Sequence, residues 1–125
     1  MVINFDQVIK NPIPAKTCSM QWIKIFPSPE DAFGKIKPGT TQLLIVHQRR
    51  ICLARVNDDF YAVEDKCSHN GESLSKGKIN YLGEIVCPWH GYRFQLKSGR
   101  ESAERSRDLE TYPIKMDETG FYIGL

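Results

Sequence analysis

From Gln21 onward, apolar and polar residues alternate in short runs with a period of two. The run QWIKIF (21–26) suits a strand buried on one face. TQLLIVH (41–47), RICLARV (50–56) and DFYAVE (59–64) follow closely, parted only by Gln48-Arg49 and Asn57-Asp58. Polar breaks that short between β-branched and aromatic runs predict hairpins, hence an antiparallel meander with no room for a crossover helix. SPEDAFGKIKPG (28–39) interrupts the pattern, and Ser28 before Pro29 predicts a cap on one helical turn. Residues 1–19 contain Pro12 and Pro14 without sustained periodicity, which predicts an extended arm or a short appended segment.

After Glu64 the chain becomes rich in Gly, Ser, Asn and Lys through residue 84, a loop length that usually signals function or ordering by a bound group. Strand patterning returns at IVC (85–87) and YRFQL (92–96), with a turn at Lys97-Ser98-Gly99. The mixed-sign run RESAERSRDLE (100–110) reads as a solvated loop, with steering of a partner as the sharper alternative. TYPIKM and FYIGL close the chain around a turn at Asp117 to Gly120. The expected fold is all-β.

Composition changes this picture little. A chain of 125 residues with 41% hydrophobic and 26% charged residues is an ordinary globular domain, one core in size. Seventeen Lys+Arg against fifteen Asp+Glu give a formal charge of +2, which points to neither a nucleic acid nor an anionic membrane as partner. The longest apolar run, LLIV (43–46), is too short to span a bilayer, and the N-terminus lacks the pattern of a secretory signal, so a cytoplasmic protein is expected. Of the four cysteines, Cys52 reads as a small buried hydrophobe inside a strand, and Cys18 has no readable role. Uneven spacing favours thiols or metal ligands over disulfides.

The chemistry lies in the remaining two cysteines. Two of the three histidines stand beside them, as Cys67-Ser68-His69 and Cys87-Pro88-Trp89-His90, with seventeen residues between the boxes. Two thiols and two imidazoles on glycine-containing loops form a four-ligand metal set that admits zinc or an iron–sulfur centre. A single zinc ion needs all four groups to converge, and its paired ligands are usually two to four residues apart, whereas Cys67 and His69 have one residue between them. A two-iron centre, with each loop sending its cysteine to one iron and its histidine to the other, accommodates that spacing more readily. A structural zinc module remains the bland alternative.

CSHNGESLSKG followed by VCPWHGYRF resembles the Rieske [2Fe-2S] proteins, and in particular their small low-potential ferredoxins; the likeness runs from about residue 20 to 125. The resemblance implies a [2Fe-2S] cluster with Cys67 and Cys87 on one iron and His69 and His90 on the other. It also implies a Rieske-like antiparallel β-barrel or sandwich, with a cluster-binding β subdomain inserted at about residues 65–98. Gly71 and Gly91 are then expected where the backbone passes close to the sulfides and donates to them, and Pro88 to fix a turn. Trp89 and Leu74 are expected either to form a hydrophobic docking tip or to shield the cluster. His47 is expected to play a surface or satisfied structural role. In related ferredoxins a proline-bearing loop covers the cluster, but here no proline occurs between the second box and Pro113.

The implied function is one-electron transport from a flavin-dependent reductase to a terminal oxygenase or similar acceptor, by a monomer. The alternative is a redox subunit of a larger complex, such as a nitrite-reductase-type small subunit. Oxygenase catalysis itself needs a mononuclear iron on two histidines and a carboxylate, and His47 alone is left to supply them.

High-potential members of the family carry an extra cysteine in each box and hydroxyl donors beyond the second. Here Glu72, Trp89, Tyr92 and Phe94 stand at those positions. The expected midpoint is roughly −150 to −50 mV, the lower end of the Rieske span. It should fall with pH once the outward imidazole nitrogens titrate. A redox titration placing the midpoint near the upper end, or finding it pH-independent into the alkaline range, refutes this reading.

Overall fold

The structure is a computed structural model that describes residues 2–4, 21–68, 71–89 and 91–125. A five-stranded sheet has the order β1 (Val2–Asn4), β3 (Thr41–Val46), β4 (Arg49–Val56), β5 (Asp59–Glu64) and β9 (Thr111–Tyr112). A three-stranded sheet orders β10 (Ile114–Asp117), β11 (Gly120–Gly124) and β2 (Trp22–Phe26); a second one orders β6 (Lys78–Ile79), β7 (Glu84–Val86) and β8 (Arg93–Gln95). The fold is all-β and almost wholly antiparallel. Its exception is β1, which runs parallel to β3 with Ile3 opposite Leu44. The first residues of the expected arm are therefore an edge strand, while Pro12, Pro14 and Cys18 lie outside the described residues.

Helix α1 (Pro29–Lys35) is longer than the expected single turn. Ser28 Oγ accepts the Asp31 amide at 3.3 Å, Pro29 opens the helix, and Glu30 and Asp31 complement its positive end. Arg55, buried on β4, donates to the carbonyls of Phe33 (3.1 Å) and Ile36 (2.8 Å) and so ties the helix end to the sheet.

The β3–β4 turn is His47-Gln48 rather than Gln48-Arg49, since Arg49 already pairs with Val46. Both turn residues have positive φ (51° and 64°), the geometry that matches strand twist in a two-residue hairpin. His47 is half-buried, and its Nε2 is enclosed without a hydrogen-bond partner among the described residues, so the expectation of a satisfied side chain is not met.

Strand β4 explains how one sheet serves two halves of the molecule. Ile51 and Leu53 face a core shared with Phe26, Phe60, Phe121 and Ile123. Cys52 and Ala54, on the opposite face, join a second core with Cys67, Leu74, Ile85, Cys87, Phe94 and Leu109. Large residues alternate with small ones, so β4 is buried on both sides, with the narrow side turned toward β6–β8. Burial pushes the Cys52 thiol far above its ordinary pKa, with the Asp65 carboxylate adding to the effect, which fits an inert core residue. Leu74 is fully buried and belongs to this core, so it is not part of an exposed tip. No helix among the described residues is long and apolar enough to cross a membrane.

The first core centres on Phe121, whose ring meets Phe60 at 5.0 Å and Phe26 at 5.5 Å, both edge-on. Phe121→Ala is expected to cost about 3–5 kcal/mol, through lost transfer energy plus a cavity. Equilibrium urea unfolding followed by far-ultraviolet circular dichroism measures it; a loss below about 1 kcal/mol contradicts this packing.

Candidate metal centre

The second core is capped by two loops that close in the same way. In the first, the Cys67 amide donates to the Glu72 carbonyl at 2.8 Å, and the Gly71 amide donates to the Cys67 carbonyl at 2.7 Å. In the second, the Cys87 amide donates to the Tyr92 carbonyl at 2.8 Å, and the Gly91 amide to the Cys87 carbonyl at 3.1 Å. Gly71 and Gly91 have φ of +80° and +73°, a region that costs any other residue strain. Their amides close the loops. Among the described residues beyond its chain neighbours, a Cβ at Gly91 would meet no atom within 4 Å, so it is conformation that calls for glycine there.

Cys67 and Cys87 are each only 1% exposed. Among the described residues Cys52, Cys67 and Cys87 are thiols rather than disulfide halves, as the spacing predicts. His69 and His90 lie outside the described residues; in the sequence each falls within one of the two closed loops. Trp89, next to His90 in the sequence, is 65% exposed.

Buried carboxylates anchor the surroundings of these loops. Asp65 accepts the Ser75 amide at 2.6 Å and the Ser73 hydroxyl, and meets Arg50 at 3.4 Å, which pins the chain leaving the first loop. Glu84 accepts from Asn80 Nδ2 at 2.8 Å and from the Ser102 hydroxyl. Those hydroxyl and amide bonds hold its carboxyl below the usual range, against the opposing push of burial. Glu64 accepts Arg107 through both oxygens, at 2.5 and 3.1 Å. Burial pushes this carboxyl up, but the bonds from Arg107 and the Glu110 amide outweigh it and the net shift is downward.

The charged run 100–110 is a loop exposed over most of its length, as expected, but it is anchored from within by buried residues. Glu101 is fully buried, its backbone bridged to Phe94, and its carboxylate accepts the amides of Ala103 (2.9 Å) and Arg105 (2.8 Å). The Arg105 guanidinium grips both oxygens, at 3.0 and 3.2 Å. That bond, with the two amides assisting against burial, holds the carboxyl down to about 2. Nearby, Ser68 Oγ donates to the Arg107 carbonyl at 2.7 Å and lies 3.0 Å from Ser106 Oγ, so this segment rests on the first loop. The four-residue spacing of Glu101 and Arg105 was visible in the sequence, but burial of the acid was not.

The donor chemistry fits an iron–sulfur group: two thiols held out of water by matching loops, each loop carrying one histidine. The sequence pattern of the Rieske [2Fe-2S] domain matches residues 22–113, most of the chain. The chain belongs to the Rieske [2Fe-2S] domain family. As a member it carries electrons on a [2Fe-2S] cluster, which decides against zinc. A curated relative, the 3-phenylpropionate/cinnamic acid dioxygenase ferredoxin subunit of Shigella boydii serotype 4 (strain Sb227), is 36% identical over 76 residues, 60% of this chain and 72% of the relative. Among solved structures, a chain from the complex of reduced oxygenase and oxidized ferredoxin in carbazole 1,9a-dioxygenase superposes with a TM-score of 0.69 at 29% identity, covering 82% of this chain and 91% of that one. A candidate NADH-dependent nitrite reductase small subunit from Mycobacterium tuberculosis superposes with a TM-score of 0.72 at 17% identity, covering 86% of this chain and 96% of that one. At that identity the likeness is one of fold alone.

Because the Glu101 carboxyl is held at about 2 against an ordinary 4.5, its stabilisation is fully present above 4.5 and is lost as pH falls toward 2. Glu101→Gln should therefore flatten the acid limb of stability between those values. Unfolding midpoints measured at stepped pH check this, and an unchanged acid limb contradicts it.

Proposed function

We propose that Cys67 and Cys87 ligate one iron of the cluster and His69 and His90 the other, and that the chain passes single electrons from a flavin-dependent reductase to a terminal oxygenase. The observation that carries the ligand assignment is the matched closure of the two loops: each cysteine amide and carbonyl is already satisfied, and each thiol is buried. A [2Fe-2S] cluster in this place supplies one-electron chemistry near the Rieske potential range. The chain itself provides the ligands, the apolar floor of Leu74, Ile85 and Phe94, and the fixed loop geometry. Phe94, fully buried, brings no hydroxyl to raise the potential.

The oxygenase as acceptor rests on the relative named as a dioxygenase ferredoxin subunit and on the neighbour solved in a complex with its oxygenase. The reductase follows from electron counting. Nicotinamides deliver hydride, two electrons at once, and a flavin is the cofactor that can release them singly to a one-electron carrier.

The structure supplies an internal control, since Cys52 is a third buried thiol in the same core. Cys67→Ser and Cys87→Ser should abolish the visible absorption and the reduced-state electron paramagnetic resonance signal. Cys52→Ala should keep both. His69→Ala and His90→Ala should likewise lose the Rieske signal. Retention of the wild-type spectrum in Cys67→Ser, or its loss in Cys52→Ala, overturns the assignment.

A further inference from the structure

The third segment at this end of the molecule, Glu101 to Leu109, touches both cysteine loops. It reaches the first through Ser68, as described, and the second through Arg105, whose guanidinium lies 3.7 Å from the centre of the Tyr92 ring. The Tyr92 carbonyl is the acceptor that closes the second loop on the Cys87 amide. Arg105 is therefore held from behind by a buried carboxylate and presses on the residue that completes a ligand loop.

We propose that Arg105, gripped by Glu101, is a positioning residue for the cluster: it clamps the third segment over the second ligand loop and limits access of water and solutes to the centre. This rests on the ligand assignment above. No proline lies between Pro88 and Pro113 to stiffen this segment. Stiffness comes instead from the Glu101 carboxylate, which folds the intervening residues around itself. Glu104 sits at φ +57°, its amide donating to the Glu101 carbonyl at 2.9 Å, and the carboxylate takes the amides on either side of it. A left-handed non-glycine residue persists only where its surroundings over-determine it, and here four bonds to one carboxylate do so.

The clamp depends on shape as well as charge. A guanidinium can fork onto both carboxylate oxygens while its plane lies over an aromatic face; an ammonium can do one or the other. Arginine is required on this account, and lysine does not substitute.

The test compares the holoprotein with Arg105→Ala and Arg105→Lys. The readouts are the rate of cluster bleaching by an iron chelator, followed by visible circular dichroism, and the line shape of the reduced-state paramagnetic signal. Loss of a charge-assisted hydrogen bond at a half-exposed site shifts a closed-to-open balance by roughly tenfold, so Arg105→Ala should bleach about ten times faster, with a broadened signal. Arg105→Lys should behave like the alanine variant. A wild-type rate and line shape in Arg105→Ala overturns the inference, as does complete rescue by lysine, which would make charge alone responsible. If Arg105→Ala fails to fold, the lysine variant decides by the same criterion. A wild-type chain that never acquires a cluster defeats the ligand assignment and this inference together; a loaded wild type with indistinguishable variants defeats the inference alone.

Discussion

Two cysteine amides, each reaching forward to a carbonyl five residues on, are the constraint on which the site depends. A thiol that is to face a metal group must be buried, yet the backbone that carries it has donors and acceptors that cannot be left without partners. Each loop solves this internally. The cysteine donates across the loop and accepts from the glycine before its end, so the backbone beside each buried thiol is satisfied. The histidine stands two residues after the cysteine in one loop and three in the other, so equal closures accommodate unequal spacings.

Loops that satisfy their own backbone need to be positioned from outside, and buried carboxylates provide the anchorage. Asp65 holds the chain behind the first loop, Glu84 joins the β6–β7 hairpin to Ser102, and Glu101 organises the third segment. Burying an ionised carboxylate is unfavourable unless donors surround it, and each of these has several. What such groups contribute is definition: their donors come from fixed places in the chain, and shifting a loop strands a charge. An electron carrier gains from that rigidity, because ligand geometry that changes little between oxidation states leaves less to reorganise when the electron moves.

The floor beneath the loops is the same sheet that closes the base. Because β4 is buried on both faces, the two cores are one chain segment apart, and small side chains at Cys52 and Ala54 let the upper layer approach. The base accordingly supports the site directly.

The strands of the base and the two ligand boxes were legible in the sequence, because period-two alternation and short-range spacing are local properties that survive without knowledge of the fold. The β3–β4 turn was misplaced by one residue, since His47-Gln48 lacks the Asn-Gly or Asp-Gly signature of a two-residue hairpin turn. Strand β6 and the parallel pairing of β1 went unseen: two or three residues carry too little pattern, and a parallel partner lies far away in the chain. Nothing in the local sequence marks Glu101, Glu84 or Asp65 as buried. Whether a carboxylate is solvated or enclosed depends on which donors other segments bring to it. Amino-acid order by itself determined what the ligands are and that strands would carry them; the tertiary structure decided which charges are buried and how three loops meet, because those depend on contacts between residues distant in sequence.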